Sequence, residues 1–214
     1  MTSAPARTYL FISGTPNVPD LPAPNNKRIL IAISRNRRHR EAIGRISRAL
    51  ATVPMEGIPM TIAPTLQTYL DQNVTYDLIP HEPAMTSMRT AEACHIPGDC
   101  LAKGIVLRRN GGYALAVLPA SHHIHLPDLR LQFGDDISLA SEDEISQLFQ
   151  DCARGAVPPV GRCYGLDVVI DESINEQPEV YMEGGDHETL VHMGHTQFAQ
   201  ITADAKHGRF SVHD

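Results

Sequence analysis

The dipeptide Asn110-Gly111, set between two apolar runs, is the feature that most narrows the fold. The run before it reads Leu101-Ala102-Lys103-Gly104-Ile105-Val106-Leu107-Arg108, and the run after it extends from Tyr113 to Pro119. Both turn residues tolerate positive φ, so the pattern predicts a two-stranded antiparallel hairpin. Lys103 leads into an otherwise apolar strand and so lies against a low-dielectric wall. There it must find an anion, lose its proton or reach back to water. The segment Gly155-Ala156-Val157-Pro158-Pro159-Val160-Gly161, about fifty residues on, is its natural complement. Glycines let a ligand approach the backbone closely, and prolines hold a loop's shape while donating no N–H.

Around the hairpin, helical and strand patterns alternate from Met60 onward. Helices are expected at Thr65 to Asp71, at Thr86 to His95 (burying Met88, Ala91 and Cys94) and at Leu126 to Phe133. Ser141-x-x-Glu144 is a capping box, and the helix it opens carries Ile145, Leu148, Phe149 and Cys152 at helical spacing into the Gly155 loop. A last helix is expected at Thr196 to Ala203. Strands are expected at Tyr76 to Ile79, Leu166 to Ile170, Val180 to Glu183 and Leu190 to Met193. Hairpin-paired strands mixed with helices indicate the α+β class.

A chain of 214 residues is long enough for one ordinary domain. No apolar run approaches the ~20 residues of a membrane helix, and Tyr9 to Ser13 is too short for a secretory signal. Cysteines 94, 100, 152 and 163 lack C-x-x-C spacing and suit the reduced thiols of a cytoplasmic protein. The net charge of −7 conceals an asymmetry: residues 1–60 hold nine Lys/Arg against three Asp/Glu, and residues 61–214 nine against 22. These sums are +6 and −13. An acidic body is an awkward partner for RNA, unless Lys103, Arg108, Arg109, Arg154 and Arg162 gather at one mouth. Residues 1–59 form a basic extension: 1–26 extended or disordered, then a basic helix over Lys27 to Thr52. That helix is open to three readings: an RNA-binding arm, a transit peptide, or upstream sequence from a start codon placed too early.

Histidines offer a competing chemistry. In His122-His123-Ile124-His125, the residues His123 and His125 share one strand face. His187 to His192 resembles a zinc-protease signature with one residue too many. On a helix those two imidazoles would diverge by about 140°, and on a strand they would face opposite sides. No metal site or cofactor is therefore expected. No G-x-S-x-G elbow, Walker loop or dinucleotide glycine motif is present. Asp186 and His187, after Gly184-Gly185 at a strand end, and His81 after the first strand are candidate pocket residues. Each is equally a charged turn.

Lys103 and the Gly155 to Pro159 loop, in that order and with the hairpin between Ala102 and Pro119, resemble the YbaK/prolyl-tRNA synthetase-associated editing domains. Ile62-Ala63-Pro64-Thr65-Leu66 is similar to the start of a free-standing member. The likeness runs from about Met60 to the C-terminus, nearly three quarters of the chain. It implies a domain over residues 60–214, built as a mixed, barrel-like sheet flanked by helices. The implied activity is metal-independent hydrolysis, in trans, of the ester of mischarged aminoacyl-tRNA bound by its acceptor end. Lys103 and the backbone N–H groups of Gly155, Ala156 and Val157 would be catalytic. His81, Pro159, Gly161, Gly185, Asp186 and His187 would bind substrate. The family's Cys-tRNA deacylases carry a tyrosine near His81, a serine near Glu183 and an aspartate near Leu190, none of which stands here. The implied amino acid is therefore small, such as alanine, serine or threonine. A non-catalytic module binding a nucleotide or tRNA end is the alternative, and a His-dependent metallohydrolase a weaker one. A homo-oligomer or a synthetase-bound form stays open.

Overall fold

The computed structural model describes residues 28–29, 62–134 and 136–213. The expected hairpin is its centre: β3 (Leu101–Arg109) and β4 (Gly112–Pro119) pair antiparallel, with Ala102 opposite Pro119 and Arg108 opposite Tyr113. β4 is buried from Ala114 to Pro119. Such a continuous apolar run belongs to a central strand covered on both faces. Alternate residues serve the two faces. Leu115 and Val117 pack with Leu66 and Leu70 of α1 (Pro64–Asn73) and with Phe198 and Ile201 of α5 (His195–Ile201). Ala114 and Ala116 pack with Leu129 of α3 (Leu126–Phe133) and with Phe210.

Outward from the hairpin the sheet is mixed. On one side β4 pairs parallel with β7 (Asp167–Asp171), which pairs parallel with β10 (Lys206–Gly208). On the other, β3 pairs parallel with β8 (Glu179–Glu183), and β8 antiparallel with β9 (Thr189–Gly194). Next come β2 (Asp77–Pro80), antiparallel to β9, and β1 (Arg28–Ile29), parallel to β2. The short β6 (Ser138–Leu139) adds to β3. A separate ribbon joins β5 (His122–Ile124) to β11 (Ser211–His213). The expected α+β class, a mixed sheet flanked by helices, is what is found.

Local differences have identifiable causes. The basic helix expected over Lys27 to Thr52 gives way at Arg28–Ile29 to a strand, held by pairing with Asp77 and Leu78. Its remainder, and the extended segment 1–26, lie outside the described residues. The helix at Thr86 to His95 is α2 (Ser87–Cys94), capped by the Thr86 side chain. It buries Ala91 and Cys94 as expected and Thr90 besides, but Met88 is 40% exposed. The capping box forms, with Ser141 and Glu144 satisfying each other's backbone at the start of α4 (Glu142–Leu148). That helix stops four residues short of Cys152, because the Asp151 carboxylate is drawn away to accept the Thr65 N–H (2.8 Å) at the start of α1. α1 begins at Pro64 with no side-chain cap of its own, so Asp151 serves a helix N-terminus from 86 residues away in the chain.

Asp171 anchors the C-terminal ribbon. Its Oδ1 accepts from Ser173 Oγ (2.6 Å) and Ser173 N (3.1 Å), and its Oδ2 from Phe210 N (2.8 Å). Burial alone would push this carboxyl up, but the Ser173, Phe210 and Ser211 hydrogen bonds outweigh it and hold the group below its ordinary 3.8. A depressed carboxylate contributes stability above its unfolded value, and loses it as pH falls through the folded one. Asp171→Asn should therefore lower the melting temperature near neutrality. The gap to wild type should close on acidification below about pH 4. Thermal scans of both proteins across that range test this, and parallel curves would assign the acid sensitivity to other carboxylates.

Candidate functional site

The parallel pairing of β8 on β3 sets Leu101 beside Tyr181 and Ala102 beside Met182. Continued by one residue, it carries Lys103 and Glu183 to one end of the two strands on the same face, about 5 Å apart. Both line a cleft of about 100 Å³. Gly104, Gly155, Val157 and His187 join them, and Ala84 to Ser87, leading into α2, closes the other side. Of the residues predicted from sequence, Lys103, Gly155, Val157 and His187 are thus brought to one place.

Lys103 is half-buried, and its Nζ donates to the carbonyls of Ala120 (3.1 Å) and His122 (2.5 Å). The ammonium is therefore fixed by the chain that leaves β4. Gly104 explains how the Gly155 loop comes so near: a Cβ there would lie 3.1 Å from Val157 Cγ1 and 3.1 Å from Leu115 Cδ1. In the loop itself Gly155 has φ +86°, a left-handed conformation that suits glycine. The Ala156 N–H donates to Ala153 O (2.9 Å) and the residue is buried. Among the described residues the N–H groups of Gly155 and Val157 have no such internal acceptor. Pro158 and Pro159 are buried, and a Cβ on Gly161 would stand 2.8 Å from Val168 Cγ2. Pro159 and Gly161 therefore seat the loop on the core and do not line the cleft.

The β8–β9 turn is the second wall. Glu183 Oε1 accepts from Gly185 N (3.2 Å) and His187 N (3.0 Å). Asp186 folds back on its own turn, its carboxylate accepting from Glu188 N, Thr189 N and Thr189 Oγ1 (3.0, 2.8 and 2.7 Å). Gly184 O and Gly185 O accept from Ala63 N (2.8 Å) and Ala153 N (2.7 Å). This stitches the turn to the start of α1 and to the approach of the Gly155 loop. His187, at φ +65°, faces Arg154 O through Nε2 (2.9 Å). A carbonyl only accepts, so Nε2 carries the proton and Nδ1 keeps a lone pair. His81 stands outside this cleft, its ring Nδ1 bonded to Glu82 O (2.8 Å).

Sequence reasoning missed Glu183 as a site residue, and also the wall from Ala84 to Ser87. Long-range contacts bring them to Lys103: the β3–β8 register for Glu183, and the Ala84 N–H bond to His187 O (3.2 Å) for the wall. The condition that would ease RNA binding, a gathering of the arginines with Lys103 at one mouth, is not met. Arg108 and Arg109 sit at the hairpin tip, about 17–20 Å along β3 from Lys103, where they pair with Glu144 and Asp167. Arg154 pairs with Glu142 and Asp143, and Arg162 with Asp204.

Solved structures share this arrangement of elements. A proposed trans-editing enzyme for prolyl-tRNA synthetase superposes with a TM-score of 0.63 at 21% identity, covering 71% of this chain and 99% of its own. A hypothetical protein gives 0.62 at 19% identity (69% and 99%), and a scaffold used for epitope backbone grafting 0.62 at 22% (70% and 96%). No curated protein matches the chain. The fold is that of the YbaK-like editing domains. Residues 81–201 match the model of the aminoacyl-tRNA editing domain, and the chain belongs to that family.

Removing the Glu183 carboxylate should loosen the turn that presents His187. In Glu183→Ala, the Gly185 and His187 amides should exchange hydrogen on the order of tenfold faster than in wild type, with β3 and β4 unaffected. Unchanged exchange would mean that Asp186 and the backbone bonds to Ala63 and Ala153 hold the turn without Glu183.

Proposed function

We propose that the protein hydrolyses the ester of mischarged aminoacyl-tRNA in trans, at the cleft between Lys103 and the Gly155 loop. The observation that carries this reading is the convergence, in one small cleft, of a fixed ammonium and two loop N–H groups without internal acceptors. An aminoacyl ester is already activated, so the site needs to orient it and stabilise an oxyanion. It need not supply a strong nucleophile. Lys103 would hold the terminal phosphate or ribose. Gly155 and Val157 N–H would face the ester carbonyl, the Ala156 N–H being spent on its own turn. Water adds to the carbonyl carbon, the bond to the ribose oxygen breaks, and that oxygen takes a proton. His187 Nδ1, as an acceptor, suits a bound water or the substrate's ammonium.

Size supports a small amino acid. A volume of about 100 Å³ is that of roughly three waters, which fits an alanyl or seryl group and leaves the ribose outside. An adjoining shallow cleft of about 500 Å³ shares Ala84 and Met85 with this one and carries Arg89. It is where the rest of the acceptor end would lie. His81, Gly185 and Asp186 take positioning roles in this proposal, and Pro159 and Gly161 hold the loop. The second reading, a non-catalytic module binding a tRNA end, is favoured by one observation: the Lys103 ammonium already spends hydrogen bonds on two backbone carbonyls.

Incubation with alanyl-, seryl-, threonyl-, cysteinyl- and prolyl-tRNA, in EDTA, separates the two. Cleavage of one or two small esters is expected, falling on the order of 10²–10³-fold in a folded Lys103→Ala protein. Full activity in that variant would end the mechanism, and silence across the panel with retained tRNA binding would favour the module.

A further inference from the structure

On the far side of the carbonyls that hold Lys103, three side chains from distant parts of the chain converge. Asp99 lies in the 3₁₀ turn Gly98–Cys100, His122 opens β5, and His213 ends the described part of β11. One ligand atom from each lies within 4.8 Å of the others, and His213 Nε2 is 3.6 Å from Asp99 Oδ1. The two imidazoles face each other edge to face across the β5–β11 ribbon, with centroids 5.2 Å apart, because the register sets His213 opposite His122.

The surroundings fix how these groups present their lone pairs. His122 Nδ1 is 2.8 Å from Ser211 Oγ, and the Ser211 hydroxyl in turn bonds the Asp171 carboxylate. An ionised carboxylate only accepts, so Ser211 donates to it. Its oxygen then accepts from His122 Nδ1–H, which leaves His122 Nε2 as a bare lone pair. Asp99 is held in the same way, since Ser121 Oγ donates to its Oδ1. Outer hydrogen bonds of this kind set the tautomer and aim of metal-binding imidazoles and carboxylates.

We propose that Asp99, His122 and His213 form a binding site for a divalent transition ion of the zinc type. Two imidazoles and one carboxylate suit such an ion better than magnesium or calcium, which take oxygen ligands. Bonds of 2.0–2.2 Å place tetrahedral ligand atoms about 3.4 Å apart. The site therefore tightens on loading, and His213, on an exposed terminal strand, is the member that moves. The fourth position is left to water. The ion would clamp the C-terminal ribbon to the Gly98–Cys100 turn. The Ser121–His122 segment whose carbonyl holds Lys103 would be clamped with it.

Titration of the untagged full chain with zinc, followed by calorimetry, tests the site, with cobalt(II) absorption reporting the donors. One ion per chain is expected, with a cobalt spectrum free of thiolate charge transfer. Affinity should fall at least tenfold in His122→Ala and in His213→Ala, and about tenfold in Ser211→Ala, which removes only the outer hydrogen bond. Zinc should also raise the melting temperature of wild type and leave that of His213→Ala where it is. Since His213 is exposed, its variant folds independently of the result. No saturable binding, or equal affinity in the His122 and His213 variants, would overturn the proposal, as would a cobalt spectrum showing thiolate ligands.

Discussion

The site rests on a pairing of only two residues from each strand: Leu101 and Ala102 of β3 beside Tyr181 and Met182 of β8. Parallel pairing needs a long connection, and here nearly eighty residues lie between the partners. It is nonetheless the step that sets Lys103 next to Glu183. Slipping β8 by one residue would turn Glu183 into the core and bring Met182 to the cleft. The burial of Val180 and Met182, both fully enclosed, is what forbids the slip. The register of the site is thus decided by hydrophobic contacts that take no part in its chemistry.

Downstream of that pairing, the cleft is shaped by which backbone groups are already occupied. The Gly185 and His187 N–H groups bond Glu183, Ala156 N–H bonds Ala153, and prolines at 158 and 159 have none to offer. What remains exposed to a ligand is a short list of donors on a loop whose shape is set from behind by buried prolines and by the close approach of Gly161 to Val168. In the proposed reaction, donors fixed in this way would need no reorganisation when charge develops, which is where such groups have most effect.

Much of this was legible in the chain. Asn110-Gly111 located the hairpin, Ser141 and Glu144 the start of α4, and Lys103 with the Gly155 loop the two sides of the cleft. These are local signals, each carried by a few adjacent residues. The contributions of Glu183, of Ala84 to Ser87, and of Asp99 with His122 and His213 were not legible, because they depend on strands meeting across the fold. The early end of α4 has the same origin. Its periodicity continues to Cys152, but a carboxylate three residues past Leu148 finds a stronger use at the N-terminus of α1. The arginines do not gather at one mouth, for an electrostatic reason: each has acidic neighbours in a strongly acidic body, and pairs where it stands.

That acidity bears on how an RNA end could be held. With Arg108, Arg109, Arg154 and Arg162 engaged by carboxylates, long-range attraction to phosphate is weak, and affinity must come from a few short contacts within the cleft. The Lys103 ammonium is the one such charge lining the cleft among the described residues. Its bonds to Ala120 O and His122 O keep it in place, and the β3–β8 register sets Glu183 on the same face beside it. A lysine held in this way has given up its conformational freedom before a ligand arrives. On the proposed reading, an acidic protein meets an anionic substrate with little general attraction and with a cation whose ordering the fold has already accomplished.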